Sequence, residues 1–318
     1  MKLISYCIPC YRSAQTITGV VDEIRATMEK MPDYDYEIVL VNDSSPDDTF
    51  DVIRALAESD DRITGINLAK NFGQHAALMA GYELTRGDIV VSLDDDGQTP
   101  ADQVGRLIEA IEAGSDVVYA RYQHKQHSGF RNLGSRLNDF MTRVMLGKPK
   151  DLYLSSYYAA RRFVIDEMLK YKNSYPYVMG LVLRSTNKIT NVDVDHRERR
   201  EGASGYTFSK LISLWMNGFT AFSVKPLRIS TMVGLFSALL GVVYMIYTIV
   251  RKIQNSGAPM GFPTLICVVL FIGGMLMVML GLVGEYVGRT YMSVNETPQY
   301  VIREVVGRDD KDSHDQAE

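Results

Sequence analysis

Three consecutive aspartates, Asp94, Asp95 and Asp96, directly follow the apolar run VVSL and precede GQTP. Adjacent like charges repel one another unless a positive charge lies among them. Mg²⁺ and Mn²⁺ prefer carboxylate and phosphate oxygens as ligands. The sequence has no G-x-G-x-x-G after its first apolar run and no G-x-x-x-x-G-K-[ST], so it lacks the Gly-rich loops that bind phosphates elsewhere. The aspartates therefore indicate a site where Mg²⁺ or Mn²⁺ binds the phosphates of a ligand.

The residues around this stretch alternate between strand-like and helical patterns. Ser45 with Pro46 is the predicted start of the second helix, and Thr99 with Pro100 is the predicted start of the fourth. This alternation predicts an α/β domain with a mostly parallel sheet and helices on both faces. The predicted strands are LISYCI, YEIVLVN, ITGIN, DIVVSL and DVVYA.

Ligands of such sheets bind beyond the carboxyl ends of the strands. The first predicted strand ends at Pro9 and is followed by Tyr11, and the second is followed by Asp43. Lys70 and Asn71 follow the third strand, and the three aspartates follow the fourth. We therefore expect these loops to form one binding site.

The overall composition of the chain limits which partners it can bind. A net charge of −4 and a pI near 5.8 argue against binding to nucleic acid. The mean hydropathy of −0.06 averages two unlike parts, because residues 229–250 and 262–284 are apolar and uncharged. Each run is long enough to cross a lipid bilayer as a helix, although buried core helices are the alternative. Since no secretory signal precedes the N-terminal part, we expect a membrane hairpin with both termini in the cytoplasm.

The segment before the first apolar run has apolar residues at helical spacing, among them Leu211, Trp215 and Phe219. It predicts either a helix in the membrane interface or an amphipathic helix of the soluble domain. The predicted organisation is a cytoplasmic domain over 1–206, this helix over 207–228 and two membrane helices over 229–288. Residues 289–318 are expected to form a C-terminal strand and a disordered acidic tail.

Cys7 and Cys10 form a C-x-x-C pair. A redox or zinc site is one interpretation, but no second pair completes a zinc site. The position of the pair at the end of a strand favours two core residues.

Several ordered stretches resemble the membrane-anchored family 2 glycosyltransferases, and among them the polyprenyl-phosphate glycosyltransferases. This group includes bactoprenol glucosyltransferases, undecaprenyl-phosphate formamidoarabinose transferase and dolichyl-phosphate mannose synthase. The resemblance implies an A-type glycosyltransferase fold with a Rossmann-like sheet. The stretches are SYCIPCYRSAQTI, YEIVLVNDSSPDDT, NLAKNFGQHAALMAGYELTRGDIVVSLDDDGQTP, REGASGYTFSKL and GEYVGRTYMSVNETPQYVI.

The resemblance also implies the reaction and its partners. A sugar is expected to pass with inversion from a UDP-sugar to polyprenyl (undecaprenyl) phosphate at the inner face of the plasma membrane. The family suggests a homo-oligomer, a tetramer, in which TPQYVIREVV is a strand that pairs with a neighbouring copy. The sequence does not name the sugar.

On the nucleotide side, the resemblance assigns roles to matching positions. Asp43 matches the carboxylate that hydrogen-bonds the uracil. Asp94 and Asp96 match the outer members of a D-x-D motif, with Asp96 as the more direct metal ligand. Asp95 points the other way on an extended chain and serves the nucleoside side or only the fold. The remaining predicted nucleotide-binding residues are Pro9, Tyr11, Lys70, Asn71 and Gln98.

On the acceptor side, a phosphate monoester is already mostly anionic at neutral pH, so positioning should matter more than a strong base. Arg199 belongs to an R-x-x-G-x-S-x-Y stretch that the family associates with phosphate and acceptor binding. Asp151 is the carboxylate nearest to the family's proposed base. The candidate acceptor-binding residues are Arg121, Arg131, Arg136, Arg199, Ser204 and Tyr206.

Two alternatives stay open, and the departures of the sequence from the family pattern in three places allow the first of them. One is a membrane protein that binds nucleotide sugars without turnover. The other is a processive polysaccharide synthase, although the Q-x-x-R-W stretch of that class is missing. The departures are Arg12 and Ser13 in place of Asn-Glu, Gly205 in place of a lysine, and Tyr157 and Tyr158 in place of Phe-Arg.

Overall fold

A computed structural model describes residues 1–122, 143, 148–195, 225–254, 261–295 and 297–307. The chain divides into two units, Met1–Leu211 with Glu296–Glu318, and Ile212–Asn295. Residues 207–224 of the predicted interfacial helix and the acidic tail from 308 lie outside the described residues. So do five candidate acceptor-binding residues, Arg131, Arg136, Arg199, Ser204 and Tyr206.

The described part of the first unit is an α/β domain. Its strands are β1 (Lys2–Cys10), β2 (Tyr34–Asn42), β3 (Ile63–Leu68), β4 (Ile89–Ser92), β5 (Val117–Tyr122), β6 (Tyr158–Arg161), β7 (Ile189–Val194) and β8 (Ile302–Val306). Its helices are α1 (Ile17–Met28), α2 (Thr49–Ser59), α3 (Gln74–Leu84), α4 (Val104–Glu112), α5 (Arg162–Leu169) and α6 (Val178–Ser185).

The strands form one sheet in the order β7-β5-β6-β4-β1-β2-β3-β8. The strands β4, β1, β2 and β3 are parallel, as are β5 and β7, whereas β6 and β8 run antiparallel to their neighbours. The predicted α/β fold with a mostly parallel sheet is therefore confirmed, and the five predicted strands correspond to β1–β5.

The centre of the sheet is buried on both faces, which explains why its strands are nearly continuous apolar runs. Ile4, Tyr6 and Ile8 of β1 are fully buried. On one face they pack with the apolar stripe of α1, which includes Ile17 and Ile24. This core fixes the strands whose ends carry the polar loops.

The start of α2 differs from the prediction, because the helix begins at Thr49 and not at Ser45 and Pro46. The Ser45 hydroxyl accepts the Arg12 N–H at 2.7 Å and donates to Asp47. The Asp47 carboxylate in turn accepts the Thr49 hydroxyl at 2.6 Å. These hydrogen bonds hold Ser45 and Asp47 in the loop between β2 and α2, so α2 begins at Thr49 rather than at Ser45.

The start of α4 also differs from the prediction. Thr99 and Pro100 do not cap this helix, because a short 3₁₀ turn over Ala101–Gln103 comes first and α4 begins at Val104. Pro100 has an extended backbone (ψ 90°), and its carbonyl accepts an N–H from the 3₁₀ turn at 3.1 Å.

The C-terminal segment forms the predicted strand. β8 pairs antiparallel with β3 of its own chain, Val305 opposite Ile66, and lies at the end of the sheet order. Pairing of this strand with a neighbouring copy stays a prediction. Arg54 of α2 holds this strand through an ion pair with Glu304 at 3.0 Å. The edge of β3 is thereby covered.

Gly65 of β3 allows the close approach of β8. A Cβ atom at this position would lie 2.6 Å from Cγ2 of Ile53 and 2.7 Å from Cγ2 of Val306. We expect Gly65→Ala to lower the free energy of unfolding by about 1–3 kcal/mol through overpacking. Thermal denaturation would measure this loss. Gly105→Ala in α4 is the matched control, because nothing lies within 4 Å of its Cβ position, and it should be neutral or slightly stabilising. Equal melting temperatures of the two variants would contradict this prediction.

Cys7 and Cys10 are fully buried in β1, and burial raises the pKa of both thiols. Among the described residues, no group of three or more His, Cys, Asp or Glu side chains is arranged to hold a metal ion. The structure therefore places this pair in the core, which gives no support to a redox or zinc site.

The described part of the second unit consists of α7 (Lys225–Gln254) and α8 (Phe262–Val294). Within these described residues, one segment, Phe271–Val294, is long and apolar enough to cross a membrane. A shorter apolar segment, Ser230–Gly241, lies in α7. Large apolar side chains such as Met277 and Leu235 are more than two-thirds exposed, which is typical of surfaces that contact lipid or another apolar partner.

Candidate active site

The carboxyl ends of β1, β2 and β4 meet at one edge of the sheet. Cys10, the last residue of β1, lies opposite Asn42 at the end of β2, and Cys7 lies opposite Ser92 at the end of β4. The loops after these strands contain Tyr11, Asp43 and the three aspartates. The expectation that these loops lie together therefore holds in the structure.

The Asp94 carboxylate is fixed by two side chains that are distant in sequence. One oxygen accepts a hydrogen bond from Nε2 of Gln74 at 3.0 Å, and the other accepts one from Oγ of Ser156 at 2.5 Å. Burial, together with the negative charges of Asp96 and Asp95, raises the pKa of Asp94 to about 6. A bound cation would relieve this crowding of carboxylates.

The Asp96 carboxylate accepts the N–H of Gln98 at 3.0 Å, within its own loop. Gly97 between them has a φ of 72°, a left-handed conformation that favours glycine. Asp96 and Gly97 line a cleft of about 280 Å³, and its other wall consists of Gln15 and Thr16 just before α1 and of the N-terminal part of that helix up to Glu23. Asp96 thus borders open space at the edge of the sheet.

Asp95 contacts the loop after β1. Its carboxylate accepts the Tyr11 N–H at 3.0 Å and the Ser13 hydroxyl. Ser13 is itself anchored, because its N–H donates to Oγ1 of Thr49 at 2.9 Å. Asp95 and Asp94 therefore bind different elements, as expected for adjacent residues of an extended chain, and Asp95 ties the β1 and β4 loops together.

Asp43 is almost completely buried, and both of its carboxylate oxygens accept backbone hydrogen bonds. Phe72 N–H donates at 2.7 Å and Gly73 N–H at 2.8 Å. Burial raises the pKa of Asp43, while these two hydrogen bonds oppose the shift. The side chain of Asn71 also donates to the Asp43 carbonyl at 3.2 Å. Asp43 therefore holds the loop between β3 and α3. This structural role is additional to its predicted contact with uracil.

Exposed aromatic and basic side chains flank these aspartates. Tyr11 is 46% exposed, and the Arg12 guanidinium lies 5.7 Å from the centre of its ring. Arg12 and Ser44 have positive φ angles of 60° and 52°, which are unfavourable for residues other than glycine. Such strain concentrates at functional sites. Lys70 is also exposed, with Nζ 5.0 Å from the centre of the Phe72 ring, whereas Pro9 is buried in β1.

Two of the predicted acceptor-side residues, Arg121 and Asp151, lie within the described residues. Among these described residues, neither forms a hydrogen bond or ion pair with the three consecutive aspartates. Arg121 of β5 is half-exposed and forms an ion pair with Asp193 at 2.5 Å. Asp151 lies in an exposed turn, and among the described residues no hydrogen bond or ion pair links it to Asp94 or Asp96.

Tyr157 and Tyr158, which stand in place of a family Phe-Arg pair, are core residues. Both are at most 2% exposed. The Tyr157 hydroxyl donates to the Pro100 carbonyl at 3.1 Å, and the Tyr158 hydroxyl bonds to that of Tyr82. These side chains therefore support the sheet rather than a ligand.

Sequence reasoning missed Ser13, Gln74 and Ser156, which hold the aspartates. Gln74 is the first residue of α3, and Ser156 is the second of two adjacent serines before β6. A polar residue directly after a glycine at a helix start was the available signal for Gln74. Nothing local marks Ser156, because its partner is 62 positions away.

The arrangement fits a divalent cation whose remaining coordination positions are filled by oxygen atoms of a bound ligand. Asp95 is bound to the β1 loop and Asp43 to the β3–α3 loop, which leaves Asp94 and Asp96 as the carboxylates of this edge available to a cation. Mg²⁺ is usually held in proteins by one or two carboxylates together with substrate phosphates, so the two carboxylates that the described residues offer here suit it. The donor set is therefore appropriate for a cation bound with a diphosphate.

The chain belongs to glycosyltransferase family 2, and the protein is a glycosyltransferase. The family model, Glycosyl transferase family 2, matches residues 5–169, which include the strands and loops of the site. A second model, the GtrB C-terminal hairpin, matches residues 225–290, which include α7 and most of α8.

Relatives with established names match along the whole chain. An undecaprenyl-phosphate 4-deoxy-4-formamido-L-arabinose transferase from Pseudomonas syringae pv. syringae (strain B728a) is 34% identical over 309 residues, 96% of this chain and 91% of the relative. The transferase of the same name from Yersinia pestis (strain Pestoides F) is 32% identical over 321 residues, 100% of this chain and 98% of the relative. The resemblance read from the motifs is thereby confirmed.

A solved structure with a similar arrangement is glucosyl-3-phosphoglycerate synthase from Mycobacterium tuberculosis, in complex with Mn²⁺, UDP-glucose and phosphoglyceric acid. It is 20% identical, with a TM-score of 0.48, and the match covers 67% of this chain and 76% of that one.

Proposed function

We propose that this glycosyltransferase transfers a sugar, with inversion, from a UDP-sugar to polyprenyl phosphate, of which undecaprenyl phosphate is the bacterial form. The acceptor is supported by the undecaprenyl-phosphate transferases that match nearly the whole chain. The observation that carries the proposal is the position of the loop with Asp94 and Asp96 at the sheet edge, where Asp95 of the same loop binds the N–H of the exposed Tyr11. That edge is where ligands of such sheets bind.

The nucleotide side of the site is built from the loops after β1, β2 and β3. Tyr11 offers an exposed ring for stacking against a base, and Asp43 holds the β3–α3 loop beside it. Lys70 and Asn71 lie in that same loop, and we assign them contacts with the nucleoside or its phosphates. Asp95 fixes Tyr11 through its backbone N–H and acts on the nucleotide indirectly.

The phosphate side of the site is built from the loop after β4. Asp94 and Asp96 would hold Mg²⁺ or Mn²⁺, and the bound ion would supply positive charge against the negative charge of the leaving diphosphate. The Gln98 N–H keeps the Asp96 carboxylate in this loop. The protein thus supplies anionic ligands rather than the Gly-rich loop that other nucleotide-binding folds use.

The transfer is a single displacement. An oxygen of the acceptor phosphate attacks C1 of the sugar while the bond from C1 to the diphosphate oxygen breaks on the opposite face. The nucleoside diphosphate leaves with the electron pair of that bond. Because the acceptor phosphate is already anionic, orientation matters more than a base, and the role of Asp151 as a base stays a prediction. Arg121, Arg131, Arg136, Arg199, Ser204 and Tyr206 stay the proposed acceptor-binding residues.

A lipid acceptor requires a membrane-bound enzyme. The match of residues 225–290 to a C-terminal hairpin and the apolar segment Phe271–Val294 support membrane association. We propose that both helices cross the bilayer, with the domain over 1–206 and both termini in the cytoplasm. A tetramer remains a prediction from the family, and crosslinking in membranes that yields only monomer would contradict it.

Transfer and metal dependence are tested together on the purified full-length chain. We expect one or a few members of a UDP-sugar panel to give a sugar-linked undecaprenyl phosphate, detected by mass spectrometry of the lipid. EDTA should abolish the product, and excess Mn²⁺ or Mg²⁺ should restore it, because the proposed phosphate site depends on the cation. Undecaprenol without its phosphate is the control acceptor and should give none.

Each other outcome has a defined meaning. Full transfer in EDTA would remove the cation from the mechanism. A polymeric product would favour a processive synthase. Binding of UDP without any lipid-linked product, across all donors, would favour a membrane protein that binds nucleotide sugars without turnover.

A further inference from the structure

The hydrogen bonds to Asp94 come from two elements outside its own loop. Gln74 is the first residue of α3, and Ser156 immediately precedes the buried Tyr157, the last residue before β6. The Asp96 carboxylate accepts a hydrogen bond from Gln98 in its own loop. The orientation of Asp94 thus depends on residues far from it in the sequence.

The donors are both neutral, and this determines what they do to the carboxylate. A lysine or arginine in either place would neutralise Asp94 and compete with a cation. The Gln74 amide and the Ser156 hydroxyl instead fix its two oxygens and leave the negative charge in place. A carboxylate has about four lone-pair sites, so one hydrogen bond to each oxygen leaves a site on each for a cation.

Both donors are held firmly by the fold. Gln74 follows Gly73, whose N–H is bound by the buried carboxylate of Asp43. Ser156 follows the buried Ser155, whose hydroxyl donates to the Ala120 carbonyl at 2.8 Å. The elements on either side of Asp94 are therefore anchored independently of the Asp94 loop itself.

We propose that Gln74 and Ser156 are positioning residues that together orient the Asp94 carboxylate toward the cation of the nucleotide sugar. This inference rests on the proposed function, because it requires that Asp94 and Asp96 bind that cation. Without the two donors, repulsion from Asp95 and Asp96 turns the Asp94 carboxylate away from a shared cation. The chain then binds the cation more weakly while the rest of the site stays intact.

The test measures the dissociation constant of Mn²⁺ on the purified full-length chain with saturating UDP, from the free Mn²⁺ signal in electron paramagnetic resonance. Ser156→Ala and Gln74→Met should each weaken Mn²⁺ binding about 10–100-fold, the usual effect of losing a partner of a metal ligand. Transfer at saturating Mn²⁺ should fall much less than the affinity for Mn²⁺. Ser156→Thr, which keeps the hydroxyl, should restore binding.

Two controls separate positioning from general damage. Ser59→Ala removes a hydroxyl of α2 that bonds only within its own helix, to the Leu56 carbonyl, and should leave Mn²⁺ binding unchanged. Gln74 is exposed, so Gln74→Met should keep the melting temperature of the parent even if Ser156→Ala does not.

The outcomes distinguish this inference from the proposed function. Unchanged Mn²⁺ affinity in Ser156→Ala and Gln74→Met, with Asp96→Asn inactive, would overturn the positioning role alone. If only one of these two variants keeps the Mn²⁺ affinity of the parent, the residue replaced in that variant is not a positioning residue. If Asp96→Asn keeps both Mn²⁺ binding and transfer, the proposed metal site itself fails.

Discussion

Replacement of Asp96 by asparagine should lower transfer by roughly 10³-fold, because a bound cation supplies several kcal/mol of charge stabilisation in the transition state. The substitution keeps the size of the side chain and an oxygen that can accept the Gln98 N–H. It removes the negative charge from a residue that lines the cleft at the sheet edge. The measurement is the rate of lipid-linked sugar formation over a range of Mn²⁺ concentrations.

The matched control is Asp102→Asn, a similar change on an exposed residue of the 3₁₀ turn after the site. We expect the control to transfer sugar at nearly the parental rate. An Asp96→Asn protein that reaches the parental rate at any Mn²⁺ concentration would falsify the assignment of Asp96 as a metal ligand.

Replacement of Asp43 by alanine should damage both stability and nucleotide binding. The Phe72 and Gly73 N–H groups would lose their shared acceptor, and each such loss in a buried place costs about 1–3 kcal/mol. A total near 3 kcal/mol corresponds to a drop in melting temperature of roughly 6–12 °C for a domain of this size. Because this loop leads into Gln74, binding of UDP should also weaken at least tenfold.

Thermal denaturation and calorimetric titration with UDP check these two effects. Asp61→Ala, in the exposed turn before β3, is the control and should change neither quantity. A protein with Asp43→Ala that melts with the parent would show that the two backbone hydrogen bonds do not hold the loop. Loss of UDP binding at an unchanged melting temperature would instead favour direct contact between Asp43 and the base.

Burial explains which parts of the fold were predictable. The central strands are buried on both faces, so their sequences are apolar runs that periodicity detects. The rule that ligands bind at the carboxyl ends of parallel strands then brought Tyr11, Asp43 and the three aspartates to one edge without any family knowledge. The two long apolar runs were equally visible, because length and lack of charge are properties of composition.

The features that were not predictable depend on contacts between distant residues. Ser45 looks like a helix cap, but its hydroxyl is used by Arg12 of another loop, so α2 starts at Thr49. The pairing of β8 with β3 joins segments more than 230 positions apart in the sequence. Local patterns carry no information about such partners.

Contacts between distant residues also explain what could not be predicted within the site. The charges of Asp94 and Asp96 are visible in the sequence, but their orientation is set by hydrogen bonds. For Asp94 these come from Gln74 and Ser156, 20 and 62 positions away. The second role of Asp43 is also non-local, because it depends on the backbone of Phe72 and Gly73.

The most direct test of the catalytic centre is the position of the cation itself. Crystals of the full-length chain with Mn²⁺ and UDP, measured at the manganese absorption edge, give an anomalous signal that locates the ion without reference to activity. The predicted result is one strong peak within coordination distance of both Asp94 and Asp96 and of the UDP diphosphate. A peak bound to the diphosphate but out of reach of both carboxylates would contradict the account.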